Sequence, residues 1–117
     1  MHRADERYRL AGIDAAEIHY AQCEAERRLG VLTKRRLDDL LRSGLVTIHP
    51  DPPAKRDKYR RLLVHLFVNG KDVGCILIRE GYAQPWRGRR EDWCVKTDFK
   101  RADLDVDCSA TGAIDAR

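Results

Sequence analysis

The feature that most restricts the fold is a long amphipathic helical pattern set between short extended runs. From about His19 to Ser43, Ala25, Leu29, Leu32, Leu37, Leu40 and Leu41 recur near one face, with Arg, Glu and Asp on the other. Gly44 is a natural stop, and Gly30 inside the pattern marks a kink or a close contact. Such a stripe needs a surface to cover, and the flanking segments offer one. Residues 8–13 read as a strand ending on Gly12-Ile13-Asp14, and residues 45–49 as a short strand. Residues 61–68 are the strongest strand, with Leu62 and Val64 on one face and Leu63 and His65 on the other. Asn69-Gly70 is a hairpin signal. Residues 73–79 fit helix or strand by pattern, and Asp72 as N-cap with Gly81 as stop favours a short helix. Residues 82–86 read as extended, and 87–94 as a helical turn. The plan is α+β with a small, incomplete sheet, since three strands are too few to close a barrel.

At 117 residues the chain is one domain, and 43% hydrophobic with 36% charged residues fits a globular protein and excludes a disordered one. No apolar run approaches membrane-spanning length, so no membrane partner is expected. Charge is uneven. Residues 55–90 hold ten Lys or Arg against three acids, whereas residues 91–117 hold seven acids against four bases. The basic middle leans towards a polyanion such as nucleic acid, and the tail reads as a solvated extension. No apolar leader follows Met1, so the chain as it stands reads as cytoplasmic, and as exported if its true start lies upstream. The cysteines Cys23, Cys75, Cys94 and Cys108 lack zinc spacing. They are expected as free thiols in a reducing compartment, with a Cys94–Cys108 bridge the alternative for an exported protein. Cys23 is expected as a small buried hydrophobe.

Two runs carry the chemistry. Arg9-Leu-Ala-Gly-Ile-Asp14-Ala-Ala-Glu17 is a strand ending on a carboxylate pair, and Asp57-Lys-Tyr-Arg-Arg61 is a turn that presents a guanidinium at a strand start. Two arginines and two carboxylates on neighbouring strand ends can hold a divalent cation and a phosphodiester together. Each also has a plainer reading. Asp14 and Glu17 suit a turn and a first helical turn, Arg9 a solvated strand position, and Arg61 a surface charge cluster. His49 and His65 read as structural or exposed. Trp86 with Arg87, Arg89 and Arg90 reads first as an aromatic closing the core beside a basic rim, and second as a stacking platform for bases.

These runs, with Glu24–Gly30, Val68–Gly74 and Leu77–Ala83 in the same order, resemble the thermonuclease (staphylococcal nuclease-like) family. The resemblance implies an OB-fold-like small β-barrel with helices, which cleaves phosphodiesters of DNA or RNA with calcium. It implies Asp14 as a calcium ligand, Glu17 as the carboxylate that activates the attacking water, and Arg9 and Arg61 as the phosphate-holding guanidiniums. Lys58 and Tyr59 would lie near a terminal phosphate. Residues 1–94 would form the domain and 95–117 a polar tail.

The chain also departs from that pattern. The family's preceding hairpin, with its Asp-Gly-Asp turn and further calcium ligand, is missing, so the barrel is expected to lack its first two strands. A misplaced start, a second copy exchanging strands in a homo-oligomer, or a scaffold that has lost catalysis would each account for this. The last makes the alternative function a catalytically impaired module that binds nucleic acid or protein. Ala16 stands where the family usually has Pro, relaxing the turn before Glu17, and Arg60 stands where it usually has Gly.

Overall fold

β4 (Leu62–Val68) is the strand around which the others assemble in this computed structural model, which describes residues 7–95 and residue 108. Its β-branched and large apolar residues suit a strand flanked on both edges. β3 (Val46–Pro50) runs antiparallel along one edge, from Val46 opposite Val68 to Pro50 opposite Val64. The other edge is shared. β1 (Tyr8–Leu10) pairs in parallel with Leu62, Leu63 and Val64, and β5 (Lys71–Asp72) pairs with Phe67 and Val68. Asn69 and Gly70, with φ of 50° and 79°, make the turn between β4 and β5, both positive as a tight hairpin of this twist requires. β5 leads straight into α2 (Val73–Arg79), where the Asp72 carboxylate caps the helix by accepting from Cys75 N at 3.2 Å.

The run 8–13, expected as one strand, is two. The chain turns at Ala11-Gly12, and β2 (Ile13–Ala15) leaves the first sheet to pair antiparallel with β6 (Ala83–Pro85), setting Asp14 opposite Gln84. The corner is tied to both sheets, because Ala11 N donates to Val64 O at 2.8 Å and Trp86 N donates to Gly12 O at 2.9 Å. Alternation of apolar residues continues through such a corner, so it does not reveal the change of partner.

α1 (Glu24–Arg42) begins at Glu24, later than the pattern suggested. Its buried line is Glu26, Gly30, Thr33 and Leu40, while Leu32 is 50% exposed. The inner face is therefore rotated from the leucine stripe and carries two polar residues. Thr33 satisfies its hydroxyl by donating to Leu29 O at 2.8 Å, and it lies 3.3 Å from Tyr82 O. Arg36 grips Glu80 through two bonds of 2.6 and 2.9 Å and fastens α1 to the end of α2. The core gathers Ile13, Leu40, Val68, Val73, Ile76, Leu77 and Ala83, with α2 packed on β4 and β6. The class is α+β as expected. Among the described residues the two sheets stay separate, as a barrel short of strands would leave them.

The cysteine expectations are corrected. Cys23 bonds to Cys94 and Cys75 to Cys108, so neither free thiols nor a Cys94–Cys108 bridge is found. Cys23 is not an inert apolar filler, since its Sγ also accepts from Glu26 N at 3.4 Å as the cap of α1. Cys108 is buried at the core, and the remainder of the tail beyond Val95 lies outside the described residues. Of the helical turn expected over 87–94, residues 87–92 show none and a turn covers 93–95, while Glu91 N donates to Asp14. The aromatic that closes the core is Trp93, 3% exposed, whereas Trp86 is 43% exposed.

Gly30 is the close contact anticipated. A Cβ there would sit 2.7 Å from Glu17 O and 2.9 Å from Glu17 C, both backbone atoms. Gly30→Ala should therefore destabilise by about 1–3 kcal/mol despite alanine's better helix propensity. Denaturant unfolding measures this, and equal or greater stability would show that the crossing has room to spare.

Candidate active site

Asp14, at the middle of β2, is 2% exposed. A buried carboxylate demands donors, and three come from one segment. Its Oδ2 accepts from Glu91 N at 2.6 Å and from Trp93 Nε1 at 3.3 Å, and its Oδ1 faces Arg90 Nε at 3.6 Å. Arg90 reaches further. One terminal nitrogen lies 3.1 Å from Glu17 Oε2 and the other 3.1 Å from Glu26 Oε2. A planar guanidinium with five forked donors can bridge three carboxylates in this way.

Glu26 holds the arrangement together. Its Oε1 accepts from Gln22 N at 2.9 Å and its Oε2 from Glu17 N at 3.0 Å, so the first turn of α1 clamps the backbone that carries Glu17. Burial pushes Glu26 up, but the N–H groups of Gln22 and Glu17 and the Arg90 charge outweigh it and hold its carboxyl below the usual range. In the sequence Glu26 is one residue of a motif run and Arg90 one of a basic rim, and neither had a site role of its own. The signal for Glu26 was Cys23-x-x-Glu26, a variant of the capping box with sulfur as the cap. Nothing local pointed to Arg90.

Arg61 is aimed by Asp57. Asp57 Oδ1 accepts from Tyr59 N and Arg61 N, each at 2.9 Å, and Oδ2 accepts from Arg61 Nε at 2.8 Å. Burial works to raise Asp57, and the two backbone donors and the Arg61 guanidinium outweigh it, so its carboxyl lies below the usual range. Arg60, within this loop, has φ 66°, the left-handed conformation that glycine adopts at no cost. Arg60 thus takes both the place and the conformation of a glycine, and Asp57 still secures Arg61.

Glu17 and Arg61 line one open cleft of about 350 Å³, bounded by Ile18, Tyr20 and the Gly30–Leu37 face of α1. Asp14 joins Glu17 through Arg90. Arg9 is turned elsewhere. It donates to Leu10 O at 3.2 Å and Ile13 O at 3.4 Å and lies 5.6 Å from the Trp86 ring centroid. Among the described residues no contact links it to Glu17 or Arg61. Lys58 and Arg61 both lie over the half-exposed Tyr59 ring, at 5.2 and 5.5 Å. His65 is paired with Asp51 at 2.7 Å and His49 packs edge-on to Phe67, which fits their structural reading. Among the described residues no three His, Cys, Asp or Glu side chains form a set able to hold a metal. The carboxylates here surround a guanidinium, and Glu26 spends both its oxygens on N–H donors.

Two outcomes follow. Arg60→Gly should stabilise by about 1 kcal/mol by relieving the positive φ, and a lower melting temperature would contradict that. A carboxyl lowered on folding adds stability that is present above its ordinary value, 4.5 for Glu26, and is lost as pH falls through the folded-state value. Glu26→Gln should thus be less stable at neutral pH yet lose less stability than the parent between about pH 6 and pH 3. An equally steep acid loss in both proteins would show that Glu26 does not drive it.

Residues 7–103 match the family described as Staphylococcal nuclease homologue, whose domain is an OB-fold. Endonuclease YncB of Bacillus subtilis (strain 168) is 40% identical over 50 residues, 43% of this chain and 24% of that protein. The SPbeta prophage-derived endonuclease YokF of the same organism is 40% identical over 50 residues, 43% of this chain and 17% of that protein. The shared stretch thus spans a quarter or less of either relative. The match of residues 7–103 covers most of the chain, including both motif runs, and on that ground the chain belongs to the staphylococcal nuclease family.

Proposed function

We propose that this chain is a calcium-dependent nuclease that hydrolyses phosphodiester bonds of DNA or RNA by attack of water. The observation that carries the reading is the convergence of Glu17 and Arg61 on one cleft, with Asp14 one guanidinium away. Family membership and the endonuclease names of the relatives support it.

Calcium takes carboxylate oxygens, carbonyls, water and phosphate. Among the described residues Arg90 lies between Asp14 and Glu17, and no set of three donors is formed there for an ion. Asp14 would hold the ion, and when bound it would polarise the phosphoryl oxygen and acidify an adjacent water. Glu17, part exposed at the cleft, accepts the proton of the attacking water at its carboxylate. The water oxygen bonds to phosphorus while the phosphorus–oxygen bond to the leaving nucleotide breaks, and the released oxygen takes a proton from solvent. Charge builds on the phosphoryl oxygens during this exchange. Asp57 engages the Arg61 guanidinium only at Nε among the described residues, so the terminal NH2 groups remain to meet that charge. Arg9 serves as the second guanidinium once it swings from Trp86, and Lys58 with Tyr59 flanks the phosphate path.

The second reading, a binding module without turnover, is favoured by one observation: Arg90 already occupies the space between the carboxylates. Cleavage of single- and double-stranded DNA and of RNA, with calcium and with chelator, separates the two. The nuclease reading expects calcium-dependent cleavage that Glu17→Gln and Arg61→Ala each reduce by about 10²–10³-fold. Cleavage that persists in chelator, or survives both substitutions, would reject it. Salt-sensitive binding with no turnover would favour the module.

A further inference from the structure

We infer that Arg90 is a positioning residue for Glu17: it holds one oxygen of the Glu17 carboxylate and leaves the other to meet the attacking water. The inference rests on the reading of Glu17 as the group that takes the proton of that water.

Glu17 has little else to hold its side chain. It is 39% exposed, and among the described residues its carboxylate has one partner, an Arg90 terminal nitrogen 3.1 Å from Oε2. Oε1 has no hydrogen bond or ion pair among the described residues. A glutamate at such exposure otherwise samples several rotamers, and a fixed cation restricts it to one.

Arg90 is fixed from two directions. On one side Glu91 N and Trp93 Nε1 donate to Asp14 Oδ2, Arg90 Nε faces Asp14 Oδ1 at 3.6 Å, and Cys94 is bonded to Cys23 at the cap of α1. On the other, its second terminal nitrogen donates to Glu26 Oε2 at 3.1 Å. That same oxygen accepts from Glu17 N at 3.0 Å. One buried oxygen of Glu26 therefore holds Glu17 twice, at the backbone directly and at the carboxylate through Arg90.

The surroundings separate this role from contact with the substrate. Three carboxylates lie about the Arg90 guanidinium and repel an approaching phosphodiester. Arg61, which lines the cleft with Glu17, suits the phosphate instead. Loss of Arg90 should thus disturb the aim of Glu17 and spare substrate binding.

The test is steady-state cleavage by the full chain of whichever single-stranded DNA or RNA the parent cleaves, under the same calcium conditions. Arg90→Gln, Arg90→Lys, Glu17→Gln and the two Arg90 changes combined with Glu17→Gln are each assayed well below their own melting temperatures. Arg90→Gln should lower kcat by about 10–10²-fold and leave KM within about twofold of the parent. In the Glu17→Gln background the same change should cost less than about twofold, because a group that acts through Glu17 then has nothing to aim. Arg90→Lys keeps the charge without the planar fork; its kcat should lie between Arg90→Gln and the parent, and it carries the test if Arg90→Gln does not fold. An unchanged kcat in the folded Arg90 variants overturns the inference and leaves the nuclease reading standing. A loss confined to KM overturns it as well, since Arg90 would then be a substrate contact. So does a loss of equal size with and without Glu17, which would mark a role independent of that carboxylate. No cleavage by the folded parent overturns the nuclease reading and this inference with it.

Discussion

The crossing of α1 over the backbone at Glu17 is the constraint on which the site depends. Gly30 permits it, because any side chain there would strike the Glu17 carbonyl. Glu26 secures it from the same face of the helix, taking the Glu17 N–H on an oxygen that also meets Arg90. A small residue and a buried acid one turn apart thus convert an ordinary helix packing into a clamp on one loop. The clamp sets the Glu17 carboxylate at the edge of a cleft whose opposite side carries Arg61. Proline at position 16 would stiffen this loop through its own backbone; with Ala16 there, the rigidity comes from α1 instead.

Burying negative charge on this scale needs compensation, and the structure draws it from a segment far downstream. The segment from Arg90 to Trp93 supplies a guanidinium, a backbone N–H and an indole N–H to carboxylates that lie far upstream. The Cys23–Cys94 bridge joins that segment to the cap of α1, and Cys75 of α2 is bonded to Cys108. A domain with two small sheets has limited apolar area to bury, and covalent ties of this kind commonly support such folds. They also explain why a mostly polar C-terminal stretch takes part in the site at all.

Asp57 plays for Arg61 the role that Glu26 plays for Glu17. It organises its loop through two backbone donors and then fixes the guanidinium at Nε. The loop tolerates Arg60 in a left-handed conformation because these bonds over-determine it. Lys58 and Arg61 gather over Tyr59, and Arg9 packs on Trp86.

Sequence alone determined much of this protein. The α+β class, β4 with its Asn69-Gly70 turn, the short helix capped by Asp72 and the contact at Gly30 all follow from local rules, because periodicity, capping and turn chemistry act over a few residues. The two motif runs were legible for the same reason, each being a contiguous string. What only the tertiary structure decided are relations between distant residues. The corner at Gly12 divides one apparent strand between two sheets, since alternation persists whatever the strand pairs with. The inner face of α1 carries Glu26 and Thr33, which pattern assigns to solvent, because their partners lie on other segments. Cysteine pairing, the turning of Arg9 towards Trp86 and the placing of Arg90 among three carboxylates depend likewise on contacts separated by many residues. No local pattern records such contacts, because spatial proximity, and with it the electrostatics of the site, arises only once the chain has closed on itself.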